Sequence, residues 1–181
     1  MRAALGWCLF DTPIGACGIA WGADKLAGVQ LPEAGPELTR ARMQRTFPHS
    51  AECVAPAWAQ VIADRIRHLL EGERDALLDV PLDFSGVAEF HRQVYAITRA
   101  IPPGEVLTYG EVASRVGQPG AARAVGQALG HNPYAPVVPC HRVLAAGGAS
   151  GGFSAEGGAA TKLRMLEIER TRFGGQPGLF E

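Results

Sequence analysis

The residues of this chain best able to do chemistry sit together in Val138-Pro139-Cys140-His141-Arg142-Val143. A cysteine attacks as its thiolate, and a histidine or arginine close by draws the thiol pKa down from about 8.5. Adjacency in sequence does not supply that closeness. Neighbouring residues point to opposite faces of a strand and diverge on a helix, so His141 reaches Cys140 only through an irregular backbone or a bridging water. Read alone, such a Cys-His pair is more often structural than catalytic. The other cysteines, Cys8, Cys17 and Cys53, lie far apart and read as small buried hydrophobes of a reduced protein. No Cys-x-x-Cys or Cys/His ligand spacing occurs, so neither a metal nor another cofactor is expected.

The elements that must hold this segment divide the 181 residues into two units and a short tail. Across residues 4–31, apolar runs at 7–10, 14–21 and 26–31 are separated by Asp11-Thr12-Pro13 and Gly22-Ala23-Asp24, which are turn-forming clusters. Three antiparallel strands joined as a meander follow from that pattern. A charged helix is expected over 36–47. A stronger one carries Trp58, Val61, Ile62, Ile66, Leu69 and Leu70 on one face, with Gly72 as its stop. The segment 79–86, with Pro81 and Ser85-Gly86, breaks the pattern and reads as a boundary.

Beyond it, Val87, Phe90, Val94 and Ile97 recur at helical spacing until Ile101-Pro102-Pro103-Gly104 ends the helix. Two short helical patterns, 109–116 and 121–129, are joined by Gly117-Gln118-Pro119-Gly120 as in a helix-turn-helix. As a bare pattern this fits packed core helices equally well. The Gly-, Ser- and Ala-rich stretch 147–158 suits a loop over a site. The expected fold is therefore α+β: a small three-stranded antiparallel sheet with helices in domain 1–80, a mostly helical domain 86–173 containing the helix-turn-helix, and a tail 174–181.

No run approaches the roughly 20 apolar residues of a membrane helix, and no secretory signal opens the chain. A cytoplasmic protein without membrane contact is expected. The formal net charge of −1 argues against gripping nucleic acid by bulk positive charge. Between Arg92 and Arg142, however, Arg92, Arg99, Arg115, Arg123 and Arg142 face only Glu105 and Glu111, a modest local basic excess.

Four blocks set the Cys-His pair in a longer pattern: Thr108-Tyr109-Gly110-Glu111-Val112-Ala113, Ala122-Arg123-Ala124-Val125-Gly126, Asn132-Pro133, and the 138–143 segment. In order and spacing they resemble the O6-alkylguanine-DNA alkyltransferase family. The resemblance is strong over 90–169 and compatible over the first eighty residues. It implies repair of O6-alkylguanine, with O4-alkylthymine as a further substrate, by direct transfer of the alkyl group to Cys140, which is consumed. It implies that His141 deprotonates Cys140 through a water and that a carboxylate orients the imidazole. The family's spacing from Lys162 selects Glu169 for that carboxylate, whereas a count from Cys140 selects Glu167, and helical periodicity over 161–170 does not decide.

The same resemblance implies base flipping. Arg123 would enter the stack and Tyr109 would crowd the adjoining phosphate and bond the extruded guanine. Small residues at Ala121, Ala122, Ala124 and Gly126 would bring the second helix close to the minor groove. Asn132 would tie that helix to the active-site turn, and Phe153 and Ser154 would cover the guanine. Val143 would line the floor through its carbonyl, and Ala135 would offer a small wall with room beyond a methyl group. The expected partner is duplex DNA carrying O6-alkylguanine, met by a monomer. Cys140 argues against a non-catalytic alkyltransferase-like protein. A DNA-binding regulator would leave the Cys-His block unexplained, and a cysteine hydrolase would turn over.

Overall fold

The protein is described by a computed structural model covering residues 3–147 and 158–171. Strands β1 (Gly6–Thr12), β2 (Gly15–Trp21) and β3 (Leu26–Gln30) form an antiparallel meander. Both faces of the sheet are covered. Cys17, Ile19 and Trp21 of β2 face the main core, to which helix α2 (Ala57–Leu70) contributes Ala59, Ile62, Ile66 and Leu69. The opposite face carries Trp7, Ala20 and Ala27 against Met43 and Phe47 of helix α1 and its cap (Pro36–Thr46). Double burial explains why β2 reads as a near-continuous apolar run. Gly18 marks how tightly α1 seats, since a Cβ there would lie 2.6 Å from Met43 Sδ.

The second half is built from α3 (Glu89–Arg99), α4 (Tyr109–Arg115), α5 (Ala122–Gly130) and α6 (Gly158–Ile168). Helices α4 and α5 pack against each other, joined through Gly117 and Gly120, both at positive φ. One pairing has no counterpart in the sequence reading. Strands β4 (Leu107–Thr108) and β5 (Val143–Leu144) form a parallel pair that fastens the chain just after Cys140 to the start of α4. Two-residue strands carry no alternation, so nothing in the sequence pattern announces them.

The apolar core runs continuously from the sheet into the helices. The two halves are also stitched through main chain. Val29 N–H donates to Pro133 O at 2.9 Å and Leu26 N–H to Pro81 O at 2.9 Å. The Arg99 guanidinium donates to the carbonyls of Leu77, Leu78 and Val80, and the Tyr134 hydroxyl donates to Asp83 O. The segment leading to Cys140 therefore rests on β3 as well as on its own helices. Among the described residues no helix is long and apolar enough to cross a membrane.

Candidate active site

Three prolines, Pro133, Pro136 and Pro139, exclude regular structure between α5 and β5, and the Ala135–Pro136 peptide bond is cis. Asn132 fixes the resulting turn from within. Its amide donates to Val138 O at 2.8 Å and its carbonyl accepts from Tyr134 N–H at 3.0 Å. The chain then makes a single 3-10 turn, Cys140–Arg142. Three residues per turn send the three side chains in directions about 120° apart, so Cys140 faces away from the groups that His141 and Arg142 engage.

Those two converge on one carboxylate. His141 Nε2 donates to Glu169 Oε1 at 2.8 Å. The Arg142 guanidinium clamps the same group in a fork, Nη2 to Oε1 at 2.7 Å and Nε to Oε2 at 3.0 Å, while Nη1 donates to Ile101 O at 2.6 Å. All three side chains are buried. Glu167, the other carboxylate left open by sequence, is turned to Arg164 at 3.4 Å on the surface. Helix α6 ends at Ile168, so Glu169 belongs to the turn that follows, and helical periodicity has no authority over where it points. Gly104, at positive φ after the two prolines that stop α3, brings its N–H to 3.5 Å from Glu169 Oε2. A Cβ there would meet the Arg74 guanidinium at 3.0 Å and Glu169 O at 3.3 Å.

The electrostatics follow from burial and these contacts. Burial alone would raise the Glu169 carboxyl, but the His141 ring and the Arg142 guanidinium outweigh it and bring its pKa down to about 2. Burial holds His141 below its ordinary value, with Glu169 opposing and Arg142 adding to the fall. A carboxylate only accepts, so Nε2 carries the ring proton and Nδ1 keeps its lone pair. Nδ1 is buried without a hydrogen-bond partner among the described residues. Burial also pushes the Cys140 thiol up; hydrogen bonding to the Asn132 side chain and the positive field of Lys162 pull the other way. At rest the arrangement is a thiol, a neutral imidazole and a compensated carboxylate.

Lys162 lies inside this site. Its Nζ donates to Val143 O at 2.6 Å and stands 5.7 Å from the centroid of the Tyr109 ring. The Val143 carbonyl, expected to face a substrate, is therefore already engaged, with one lone pair remaining. Burial lowers the Lys162 pKa, and the neighbouring Cys140 opposes that fall.

Tyr109 opens α4 because Thr108 and Glu111 form a capping box. Glu111 N–H donates to Thr108 Oγ1 at 3.1 Å, and Thr108 N–H donates to Glu111 Oε2 at 2.6 Å. Half-buried Tyr109 and exposed Arg123 line a cavity of about 660 Å³ together with Ala122 and Gly126. Ala121 is the N-cap of α5, Ala124 is half-buried beside it, and a Cβ on Gly126 would touch the Tyr109 ring at 3.8 Å. Ala135 sits on another cavity wall with Cys140. Phe153 and Ser154 lie outside the described residues.

Two participants were missed by sequence reasoning. Arg142 was counted in the basic excess, yet it is buried and spent on Glu169, and Arg99 on carbonyls. Arg92 pairs with Glu89 and Arg115 faces Glu111 one turn earlier, which leaves Arg123 of that set as the surface cation without an acidic partner among the described residues. No local sequence signal separates a buried arginine from an exposed one. Lys162 served only as a ruler. The Thr108-x-x-Glu111 box, by contrast, was readable as a helix start.

Comparison with known proteins identifies the family. Residues 89–171 match the family described as 6-O-methylguanine DNA methyltransferase, DNA binding domain. A methylated-DNA--protein-cysteine methyltransferase of Mycolicibacterium paratuberculosis is 48% identical over 163 residues, 88% of this chain and 89% of that protein. One from Mycobacterium tuberculosis is 36% identical over 171 residues, 94% and 96% of the two chains. The crystal structure of Mycobacterium tuberculosis OGT in complex with DNA superposes with a TM-score of 0.73 at 33% identity, covering 91% of this chain and 92% of that one.

Proposed function

Because the chain belongs to the methylated-DNA--protein-cysteine methyltransferase family and is such an enzyme, acting in repair of alkylated DNA, we propose that it repairs O6-alkylguanine in duplex DNA by a single irreversible transfer to Cys140. The observation that carries the reading is the buried chain from Glu169 to His141 Nε2, which leaves Nδ1 as the one basic ring atom next to the cysteine in sequence.

His141 takes the Cys140 proton at Nδ1 through a bridging water, and Glu169 stabilises the imidazolium that forms. The thiolate attacks the alkyl carbon in line with O6. The S–C bond forms as the C–O6 bond breaks, the electron pair returns to the guanine, and a proton delivered to the purine completes an unmodified base. The thioether product has no route back, so one protein accepts one group. O4-alkylthymine presents the same alkyl–oxygen bond.

A base within the stack cannot bring its O6 substituent to a buried thiol, so the nucleotide is flipped at a cost of a few kcal/mol. Exposed Arg123 on α5 fills the space left behind, and Tyr109, held at the start of α4 by its capping box, bonds the extruded base. The α4–α5 pair acts as a helix-turn-helix whose small residues, Ala121, Ala122, Ala124 and Gly126, let it approach the minor groove. Phe153 and Ser154 cover the base. The protein acts as a monomer.

Incubation with duplex DNA containing O6-methylguanine, followed by intact mass and peptide mapping, tests the reading. One methyl per protein on Cys140, lost in Cys140→Ala, is expected. Repair of many equivalents per protein, or full repair by Cys140→Ala, would overturn it.

A further inference from the structure

Cys140 lines a second cavity, of about 290 Å³, where the turn after α5 meets β3 and α1. Its walls are apolar where they are deep: Val29, Leu31, Met43, Phe47 and Leu129 are all buried. Its rim is polar, and Arg42 of α1 is the one formally charged residue lining it. Arg40 on the same helix pairs with Glu37 and Glu52. The Arg42 guanidinium has no such partner among the described residues, and no acidic residue lines the cavity.

We propose that this cleft receives the distal part of the alkyl group during transfer, and that Arg42 makes the enzyme prefer alkyl groups ending in a carboxylate. The inference rests on the transfer proposed above. When the reacting carbon is at the Cys140 sulfur, every further atom of the alkyl group must occupy space adjoining that residue. The cavity lined by Tyr109 and Arg123 does not touch Cys140; the cleft does. Its volume is several times the roughly 30 Å³ share of one water, enough for a chain of several heavy atoms. A cleft with buried apolar side chains and one cation in its lining fits a methylene stem with an anionic end, as a carboxyalkyl group has. The wall at Ala135 is small where a larger side chain would narrow the passage.

The test compares single-turnover rate constants on duplexes carrying O6-methyl-, O6-butyl- and O6-(3-carboxypropyl)guanine. The quantity read is the ratio of the carboxypropyl to the butyl rate constant, which cancels changes in DNA affinity or folded fraction. Arg42 is solvent-exposed, so its pull is that of a surface ion pair, about fivefold at low salt. Arg42→Gln should lower the ratio by about that factor, Arg42→Glu further, and added salt should lower it in wild type alone. A ratio that is the same within twofold in all three proteins overturns the cleft proposal. Failure of wild type to transfer even the methyl group overturns instead the function on which it rests.

Discussion

Burial holds His141 below its ordinary pKa and Arg142 adds to that fall, so replacing Arg142 should displace the pH dependence of alkyl transfer. Its Nη2 lies 2.7 Å from Glu169 Oε1, and His141 Nε2 lies 2.8 Å from the same oxygen, so the two nitrogens are within about 5.5 Å of one another. A unit charge at that separation is worth about 3 kcal/mol at an effective dielectric constant near 20. With Arg142 present, an imidazolium at His141 faces a carboxylate whose charge is already answered. In Arg142→Met that opposition is gone and Glu169 favours the protonated ring. His141 works as a base only when neutral, so the acid limb of the rate profile should move to higher pH.

Arg142→Met also leaves a buried carboxylate half-paired, which costs about 3–5 kcal/mol of stability. Arg142→Lys separates the two effects. It keeps a cation near Glu169 but loses the fork, so it should lose stability and keep the acid limb near its wild-type position. The assay is single-turnover methyl transfer from an O6-methylguanine duplex between pH 5.5 and 9, at a temperature where circular dichroism shows each variant folded. A folded Arg142→Met with an unmoved acid limb would refute the argument.

The same buried group governs acid stability. Glu169 titrates near 2 in the fold against about 4.5 free, so it contributes about 3 kcal/mol that is fully present above pH 4.5 and lost as pH falls towards 2. His141, held neutral by burial, adds to the loss below about pH 6.5, where the unfolded ring takes a proton first; urea melts at pH 7 and pH 4 should show a steep fall that is blunted in Glu169→Gln. Arg123→Ala should slow repair in duplex DNA at least tenfold more than reaction with free O6-benzylguanine, since only the duplex requires base extrusion; equal losses would remove Arg123 from that role. Lys162→Met should cost about 1–3 kcal/mol by leaving the Val143 carbonyl unpaired, and should slow methyl transfer by removing the cation that favours the Cys140 thiolate. A melt unchanged from wild type would argue against the first half, an unchanged rate against the second.

How much of this was legible in sequence depended on whether a feature is local. The strands over 6–30 were readable because turn clusters separate apolar runs, and α2 and α3 because their buried residues repeat at helical spacing. The β4–β5 pair was not, because pairing Leu107 with Val143 is a long-range event between segments too short to alternate. Cys140 and His141 stood out through motif spacing alone. Glu169 was named only through the family's spacing from Lys162, and Arg142's contact with it was not read at all, because both depend on a contact made after a helix or turn has ended. Counting within α6 could not separate Glu167 from Glu169, since the latter lies beyond Ile168. Composition counted Arg142 as surface charge, although the fold buries it.

The single transfer proposed above sets Cys140 a particular difficulty that the electrostatics of this site address. Each off-target attack on the thiol would remove a protein permanently, and the thiolate is the form that attacks. Burial raises the Cys140 thiol, and burial together with Arg142 keeps His141 neutral, so neither partner is charged at rest. The base proposed above has its tautomer fixed by Glu169 and its lone pair on Nδ1. Arg142 thus has two effects that point the same way: it orients Glu169, and it keeps the carboxylate from charging His141 before a substrate arrives. Without the arginine, burial and the field of Lys162 would be left to oppose Glu169 at the ring, so the arginine fork adds to the margin by which the imidazole stays neutral.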